Sequence, residues 1–219
     1  MATPYFQLRY DTVPSTQNVA RDSLEDLPIL VLARSQTEGR GRTGKHWQNA
    51  EQAVAASLAI RLDESDLRPF SLMAGVAATR ATEETFLKWP NDLLFSEAKV
   101  GGILVERSSG VVVIGFGLNL WWPNAPSGMG ALYRDDPGDD RYAEIGALWA
   151  AELMRIVEGD GWPIDEYRSR CVTIGSDISW DPAGAGRGID ISKDGGLIVD
   201  HDGLVETIYS GEIRHLRHG

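Results

Sequence analysis

Hydrophobic and polar positions divide the chain into short segments whose period changes. Tyr5 to Tyr10 is an aromatic-bearing run that predicts a strand. Pro14, Ser15 and Thr16 then form a turn into a Ser- or Thr-capped helix over Thr16 to Leu27, which Pro28 ends. Ile29 to Ala33 is continuously apolar and predicts a buried strand. From Ala53 to Leu62 the period is two, with Val54, Ala56, Leu58, Ile60 and Leu62 on one face, and a further strand is expected there. Pro69 suits a first helical position, and Phe70, Met73, Val76, Ala77, Arg80 and Ala81 continue at helical spacing to Glu84.

Phe86 to Trp89 is strand-like and is stopped by Pro90. Ile103 to Arg107 and Val111 to Phe116 are expected to pair as a hairpin across Ser108-Ser109-Gly110. Trp122 to Asp140, rich in Pro, Gly and Asp, predicts a surface loop before a helix over Tyr142 to Glu158. Its acidic run is a solvated loop rather than a metal site. A shorter helix should follow Trp162-Pro163 and end near Cys171. Beyond it, Ile189 to Ile191, Leu197 to Val199, Leu204 to Ile208 and Ile213 to Leu216 alternate with Asp194-Gly195-Gly196, Asp202-Gly203 and Ser210-Gly211, the spacing of a small antiparallel barrel. The fold class is therefore α/β (α+β): a mixed sheet flanked by helices over 1–171 and a small β-barrel over 172–219.

Composition narrows the function. The chain has 219 residues and a formal net charge of −11, which argues against non-specific nucleic-acid binding and against docking on anionic lipid. One window opposes that sign: Arg34 to His46 holds Arg34, Arg40, Arg42 and Lys45 against Glu38 alone. No apolar stretch approaches the roughly 20 residues of a membrane helix, and the N-terminus lacks a secretory pattern. The single cysteine, Cys171, permits neither an internal disulfide nor a cysteine zinc site. The expected compartment is the cytoplasm.

Chemistry concentrates in two segments. In Gly39-Arg40-Gly41-Arg42-Thr43-Gly44-Lys45-His46-Trp47, glycines let the backbone approach a ligand while Arg40, Arg42 and Lys45 supply charge suited to a phosphate. The string satisfies G-x-G-x-x-G, but a strand rather than a helix follows it, and two bulky arginines sit where a dinucleotide fold needs close packing. His46 after Gly44-Lys45 also excludes a P-loop. The second segment is Lys88-Trp89-Pro90-Asn91-Asp92, followed by Lys99-Val100-Gly101-Gly102-Ile103-Leu104-Val105-Glu106. Asn91 and Asp92 offer oxygen ligands suited to Mg²⁺, and Lys99 stands before two glycines that again permit close approach.

Together these segments resemble the biotin protein ligases, whose patterns are G-R-G-R-x-G-R-x-W and K-W-P-N-D followed by K-x-x-G-I-L. Ser15-Thr16-Gln17 resembles the family's S-T-N, and Gln36 precedes the Gly/Arg loop by three residues as in the family. Gly115-Phe116-Gly117-Leu118-Asn119 resembles its G-x-G-x-N strand end, while Gly188-Ile189-Asp190 and Ser210-Gly211-Glu212 resemble its C-terminal barrel. The resemblance implies a class II synthetase-like catalytic domain with an SH3-like barrel. It also implies activation of biotin by MgATP to biotinyl-5′-AMP and transfer to a lysine of a biotin carboxyl carrier domain. Lys99 and Arg42 would be catalytic. Ser15, Thr16, Gln17, Gln36, Arg40, Gly41, Arg42, Lys99 and Gly102 would bind biotin. Arg42, Lys45, Trp47, Asn91, Lys99 and Asn119 would bind ATP or the adenylate, with Asp92 on Mg²⁺.

Lys45 stands where the family commonly has Arg, Gln17 replaces the usual Asn, Ala55-Ala56-Ser57 lacks an aromatic found before the serine, and the barrel is shortened around Ser179 to Gly186. The larger members' N-terminal DNA-binding domain has no room before Ser15, so a ligase without repressor function is expected. A homodimer through the central sheet is common in the family and is not decided by the sequence. Two alternatives remain: a lipoate-type ligase of related fold, and a non-catalytic binder of biotin or nucleotide.

Overall fold

The computed structural model describes residues 3–48, 50–82, 84–181, 184–209 and 211–216. Its main sheet has seven strands: β1 (Phe6–Val13), β2 (Ile29–Gln36), β3 (Gln52–Arg61), β4 (Phe86–Lys88), β5 (Asp92–Phe95), β6 (Ala98–Ser108) and β7 (Val111–Trp121), in the order β1-β2-β3-β7-β6-β5-β4. Only β1 and β2 pair in parallel, because helix α1 (Thr16–Asp22) carries the chain between them. The other neighbours are antiparallel.

The centre of this sheet is covered on both faces, which explains why β2 is apolar without interruption. Ile29 and Val31 join Ala20 and Leu24 on the α1 side, whereas Leu30 and Leu32 enter the larger core with α2 (Phe70–Thr82) and α3 (Arg141–Glu158). On β3, Val54, Ala56, Leu58 and Ile60 face that larger core, and the intervening Ser57 is equally buried. Trp149 of α3 anchors the layer. Its ring stacks on Phe116 of β7 at 5.1 Å, and its Nε1 donates to the carbonyl of Ala74 at 3.1 Å.

Helix α1 ends at Asp22, short of the expected Leu27. The Ser23 amide bonds back to Val19, and the chain then uses Leu24 to close the small core and Pro28 to accept from the Phe6 amide. Strand β5 was not expected, and β6 begins at Ala98 rather than Ile103. The glycines hide this extension from any hydrophobic pattern: at Gly101 a Cβ would stand 2.6 Å from the carbonyl oxygen of Gly117, so only glycine permits this approach of β6 and β7.

After α4 (Ile164–Arg170), strands β8 (Asp177–Trp180), β9 (Gly184–Ile191), β10 (Leu197–His201), β11 (Leu204–Ile208) and β12 (Ile213–His215) form an antiparallel sheet in the order β11-β10-β9-β8-β12. The shortening expected around Ser179 to Gly186 does not remove the first hairpin: β8 and β9 pair from Asp177↔Arg187 to Trp180↔Gly184. Gly, Ala and Arg there carry no apolar alternation and hence no strand signal. Ser210 of the Ser-Gly-Glu motif lies outside the described residues.

The two sheets share one core, to which Leu87, Trp89, Cys171, Ile178, Leu197 and Ile213 all belong. The Val172 amide donates to Leu87 at 2.9 Å, and Trp89 Nε1 donates to Gly195 at 2.9 Å, so the small sheet is fastened to the end of β4. Burial raises the Cys171 thiol pKa, the reverse of what a nucleophile needs. Replacing Trp149 with Ala is expected to cost about 3–5 kcal/mol through the cavity left behind. Urea unfolding checks this: a midpoint equal to the wild type's would refute the anchoring role.

Candidate active site

Strands β2 to β7 and several loops, the Gly/Arg loop among them, line one cavity of about 690 Å³. Its floor is a polar chain. Gln36, at the end of β2, accepts at Oε1 from the Thr16 amide (2.8 Å) and the Thr16 hydroxyl (3.1 Å). Having spent its hydrogen there, Thr16 Oγ1 accepts from Ser57 Oγ at 2.8 Å, so each group's role as donor or acceptor is fixed. Ser15 Oγ is buried beside this chain with no protein partner.

The Gly/Arg loop closes on itself and extends three cationic arms. Trp47 donates its amide to Gly39 at 2.9 Å, Gly41 to Lys45 at 2.7 Å and Lys45 to Arg42 at 3.1 Å. From this base Arg40 Nη2 reaches Asn18 Oδ1 (2.8 Å) and both oxygens of Glu106 (3.3 Å each). Arg42 Nη1 donates to Asn91 Oδ1 at 3.0 Å, and Lys45 Nζ to Glu212 Oε1 at 2.7 Å. The Trp47 indole lies on the glycines of β6 and β7: a Cβ at Gly117 would be 2.7 Å from the ring and one at Gly102 3.8 Å.

Opposite the loop, the turn over Trp89 and Pro90 presents Asn91 and Asp92. Asn91 Nδ2 donates to Ile103 at 3.0 Å, which turns its Oδ1 toward Arg42. Lys99 Nζ donates to Asp92 Oδ1 at 2.5 Å. The backbone of Lys99 is held from outside, by Lys99 N to Gly128 O (3.0 Å) and Gly130 N to Lys99 O (2.9 Å).

Ser15, Thr16, Gln17, Gln36, Arg40, Gly41, Arg42, Lys45, Trp47, Asn91, Asp92, Lys99 and Gly102 all line the cavity. Asn119 does not. It is buried in β7, where Nδ2 donates to Gly130 at 3.0 Å while Oδ1 has no partner, so its direct contact is with the segment gripping Lys99. Sequence reasoning missed Lys88, Met129, Asp181 and Glu212 as wall residues. Lys88 and Glu212 stood inside quoted motifs and were within reach; Met129 and Asp181 arrive from loops with no distinguishing pattern. Glu106, behind the wall, was also quoted without a role.

Five cationic side chains on the wall (Arg40, Arg42, Lys45, Lys88, Lys99) face three carboxylates (Asp92, Asp181, Glu212), a balance that suits an anionic occupant. Among the described residues no cluster of three or more His, Cys, Asp or Glu is arranged to hold a metal. Of the two oxygen donors expected for Mg²⁺, both on the wall, Asn91 Oδ1 serves Arg42 and one oxygen of Asp92 serves Lys99. Such a donor set fits a Mg²⁺ ion that brings phosphate oxygens with it and does not amount to an all-protein cage.

A model of the biotin/lipoate A/B protein ligase family matches residues 10–119. The biotin–[acetyl-CoA-carboxylase] ligase of Mycobacterium tuberculosis is 30% identical over 86% of this chain and 79% of its own length. The bifunctional ligase/repressor BirA of Escherichia coli is 29% identical over 92% of this chain and 71% of its own. Among solved structures, a biotin protein ligase from Aquifex aeolicus in complex with biotin and ATP superposes with a TM-score of 0.81 at 24% identity, covering 97% of this chain and 99% of that one.

The Glu212 carboxyl is held below its ordinary range, first by the hydrogen bond from Lys45 and then by that ammonium's charge. A lowered folded-state pKa means that this tether is in force above the unfolded value and is lost as pH falls through the folded one. Amide exchange across Gly41–His46, corrected for intrinsic rates, should therefore stay slow through the ordinary carboxylate range and quicken below it. Glu212→Gln should quicken it at neutral pH by about two- to fivefold, the scale of an exposed ion pair. Identical profiles for variant and wild type would show that the pair does not restrain the loop.

Proposed function

The chain belongs to the biotin/lipoate A/B protein ligase family, and from that premise we propose that it is a biotin protein ligase. It joins biotin and MgATP to give biotinyl-5′-AMP and pyrophosphate, then passes the biotinyl group to a lysine of a biotin carboxyl carrier domain. The observation that carries this reading is the convergence of the Gly/Arg loop and the Lys-Trp-Pro-Asn-Asp turn on one cavity, tied together by the Arg42–Asn91 hydrogen bond.

In the first step an oxygen of the biotin carboxylate attacks the α-phosphorus and the bond to the bridging oxygen of pyrophosphate breaks. Both partners are anions, so the protein's task is to neutralise and position charge. Arg42 and Lys99 are suited to this because each is already aimed by a fixed oxygen, Asn91 Oδ1 and Asp92 Oδ1. Mg²⁺ enters with the triphosphate as part of the substrate, and the phosphates together with Asp92 would hold it. Ser15, Thr16, Gln17, Gln36, Arg40, Gly41 and Gly102 form the biotin side of the cavity. Lys45, Trp47 and Asn91 form the nucleotide side, with Asn119 supporting it from beneath.

In the second step the acceptor lysine's amine attacks the acyl carbon and AMP leaves with the bonding electron pair. The Gly/Arg loop, drawn over the cavity by its three arms, shields the mixed anhydride from water until then. The same reading places the protein in the cytoplasm. No helix among the described residues is long and apolar enough to cross a membrane.

Pyrophosphate release on adding biotin and ATP, followed by labelling of a carrier domain, tests the proposal; release with lipoate and none with biotin would overturn it. Lys99→Ala should lower adenylate formation by about a hundredfold or more. Arg42→Ala should chiefly speed loss of the bound intermediate, by about tenfold. Full labelling by both variants would refute the assignments.

A further inference from the structure

Glu106 lies on β6 and is not part of the cavity wall, yet it accepts from three basic or amide groups that arrive from two other elements. Its Oε2 takes Gln17 Nε2 at 3.2 Å, Arg21 Nη2 at 3.1 Å and Arg40 Nη2 at 3.3 Å, and its Oε1 takes Arg40 Nη2 at 3.3 Å. Three of these contacts fall on Oε2 and one on Oε1, so Oε2 is the shared anchor of all three side chains. The side chain is only partly exposed, and its partners lie 66 to 89 residues away in sequence.

We propose that Glu106 is a positioning residue for the biotin half of the cavity, acting through Gln17 and Arg40. This inference rests on the ligase reading above.

The first effect is on Gln17. An ionised carboxylate only accepts, so the amide must turn its NH₂ end toward Glu106, and its orientation is fixed. Its Oε1 then lies over Gly115, buried and without a partner, where a Cβ on Gly115 would stand 3.0 Å from it. The second effect is on Arg40, whose guanidinium is pinned between Asn18 and Glu106 at the base of the Gly/Arg loop. One acid thus sets the start of α1 and the root of the loop relative to each other. Arg21 shares the carboxylate from outside the cavity and supplies a control.

Glu106→Gln is the discriminating variant. It keeps the volume but removes the charge and sets an NH₂ group against Arg40 Nη2 in either amide orientation, and against Gln17 and Arg21 as well when the oxygen takes the Oε1 place, so the grip on Arg40 weakens in both. Steady-state pyrophosphate release should show KM for biotin raised about tenfold, with kcat and KM for ATP within about twofold of the wild type. Glu106→Asp, which keeps the charge, should recover part of the loss, and Arg21→Ala should leave both KM values unchanged.

An unchanged KM for biotin in Glu106→Gln would overturn the proposal, as would parallel rises in both KM values, which mark a merely structural role. Should Glu106→Gln fail to fold, Glu106→Asp is read by the same criterion: a rise confined to biotin supports the assignment and any other pattern overturns it. A wild-type protein without biotin-dependent pyrophosphate release would overturn the ligase reading as well, whereas an active wild type with an indifferent Glu106→Gln overturns only the role of Glu106.

Discussion

The constraint on which the site depends is mutual repulsion among its own cations. Arg40, Arg42, Lys45, Lys88 and Lys99 face one cavity, and without fixed partners they would spread toward solvent. Four of them are held, each by an oxygen from a different place: Glu106 on β6, Asn91 in the turn after β4, Glu212 just before β12, and Asp92 on β5. The partners are acids or an amide oxygen, and each leaves its cation charged. The cavity is therefore positively poised before any anion enters, which is the condition under which binding adds little reorganisation.

That arrangement explains the architecture around it. Three of the four partners belong to one half of the main sheet or the turn beside it, and the fourth, Glu212, comes from the small sheet. Trp89 and Leu87 fasten the small sheet to β4, so Glu212 approaches the Gly/Arg loop from a rigid support. Close approach of β6 and β7 at Gly101 and Gly117 provides the shallow bed on which the Trp47 indole rests. Burial on both faces of β2 and β3 in turn keeps Gln36 and Ser57 in register with Thr16. Packing here acts on function through position, since a side chain one residue out of register would point to the other face.

Much of this was legible in the sequence because it was local. The continuous run Ile29 to Ala33, the alternation from Ala53 and the helical spacing after Pro69 each became the expected element. The Gly/Arg loop and the Lys-Trp-Pro-Asn-Asp turn were recognisable because their glycines, arginines and lysines follow neither the helical nor the strand pattern of a core. Strand β5, the first five residues of β6 and the hairpin β8–β9 were not legible, because β5 has only four residues and the glycines of β6 and β9 break any apolar alternation, although their strand partners are near in the chain. Asn119 shows the same limit at the site: its motif marked it as important, but only the fold shows that its amide supports the segment behind Lys99. Glu106 was hidden for the converse reason, since its meaning lies in three partners that no spacing brings together.

The tethers of the Gly/Arg loop are also unequal, and the inequality has a direction. At its root Arg40 is held both by Asn18 and by a partly buried carboxylate, so releasing it breaks bonds to two residues at once. At its tip Lys45 and Glu212 are 63% and 57% exposed and joined by one bond, and water can replace either partner at a cost of about 0–1 kcal/mol. Lysine in place of arginine accentuates this, because a single ammonium makes no planar fork with the carboxylate. The loop is consequently firm where it adjoins Gln17 and yielding where it crosses the mouth of the cavity. On the function proposed above, a cover that admits a nucleotide, holds a reactive anhydride and later exposes it to an acceptor amine is served by that gradient, which in this chain follows from burial and hydrogen bonding.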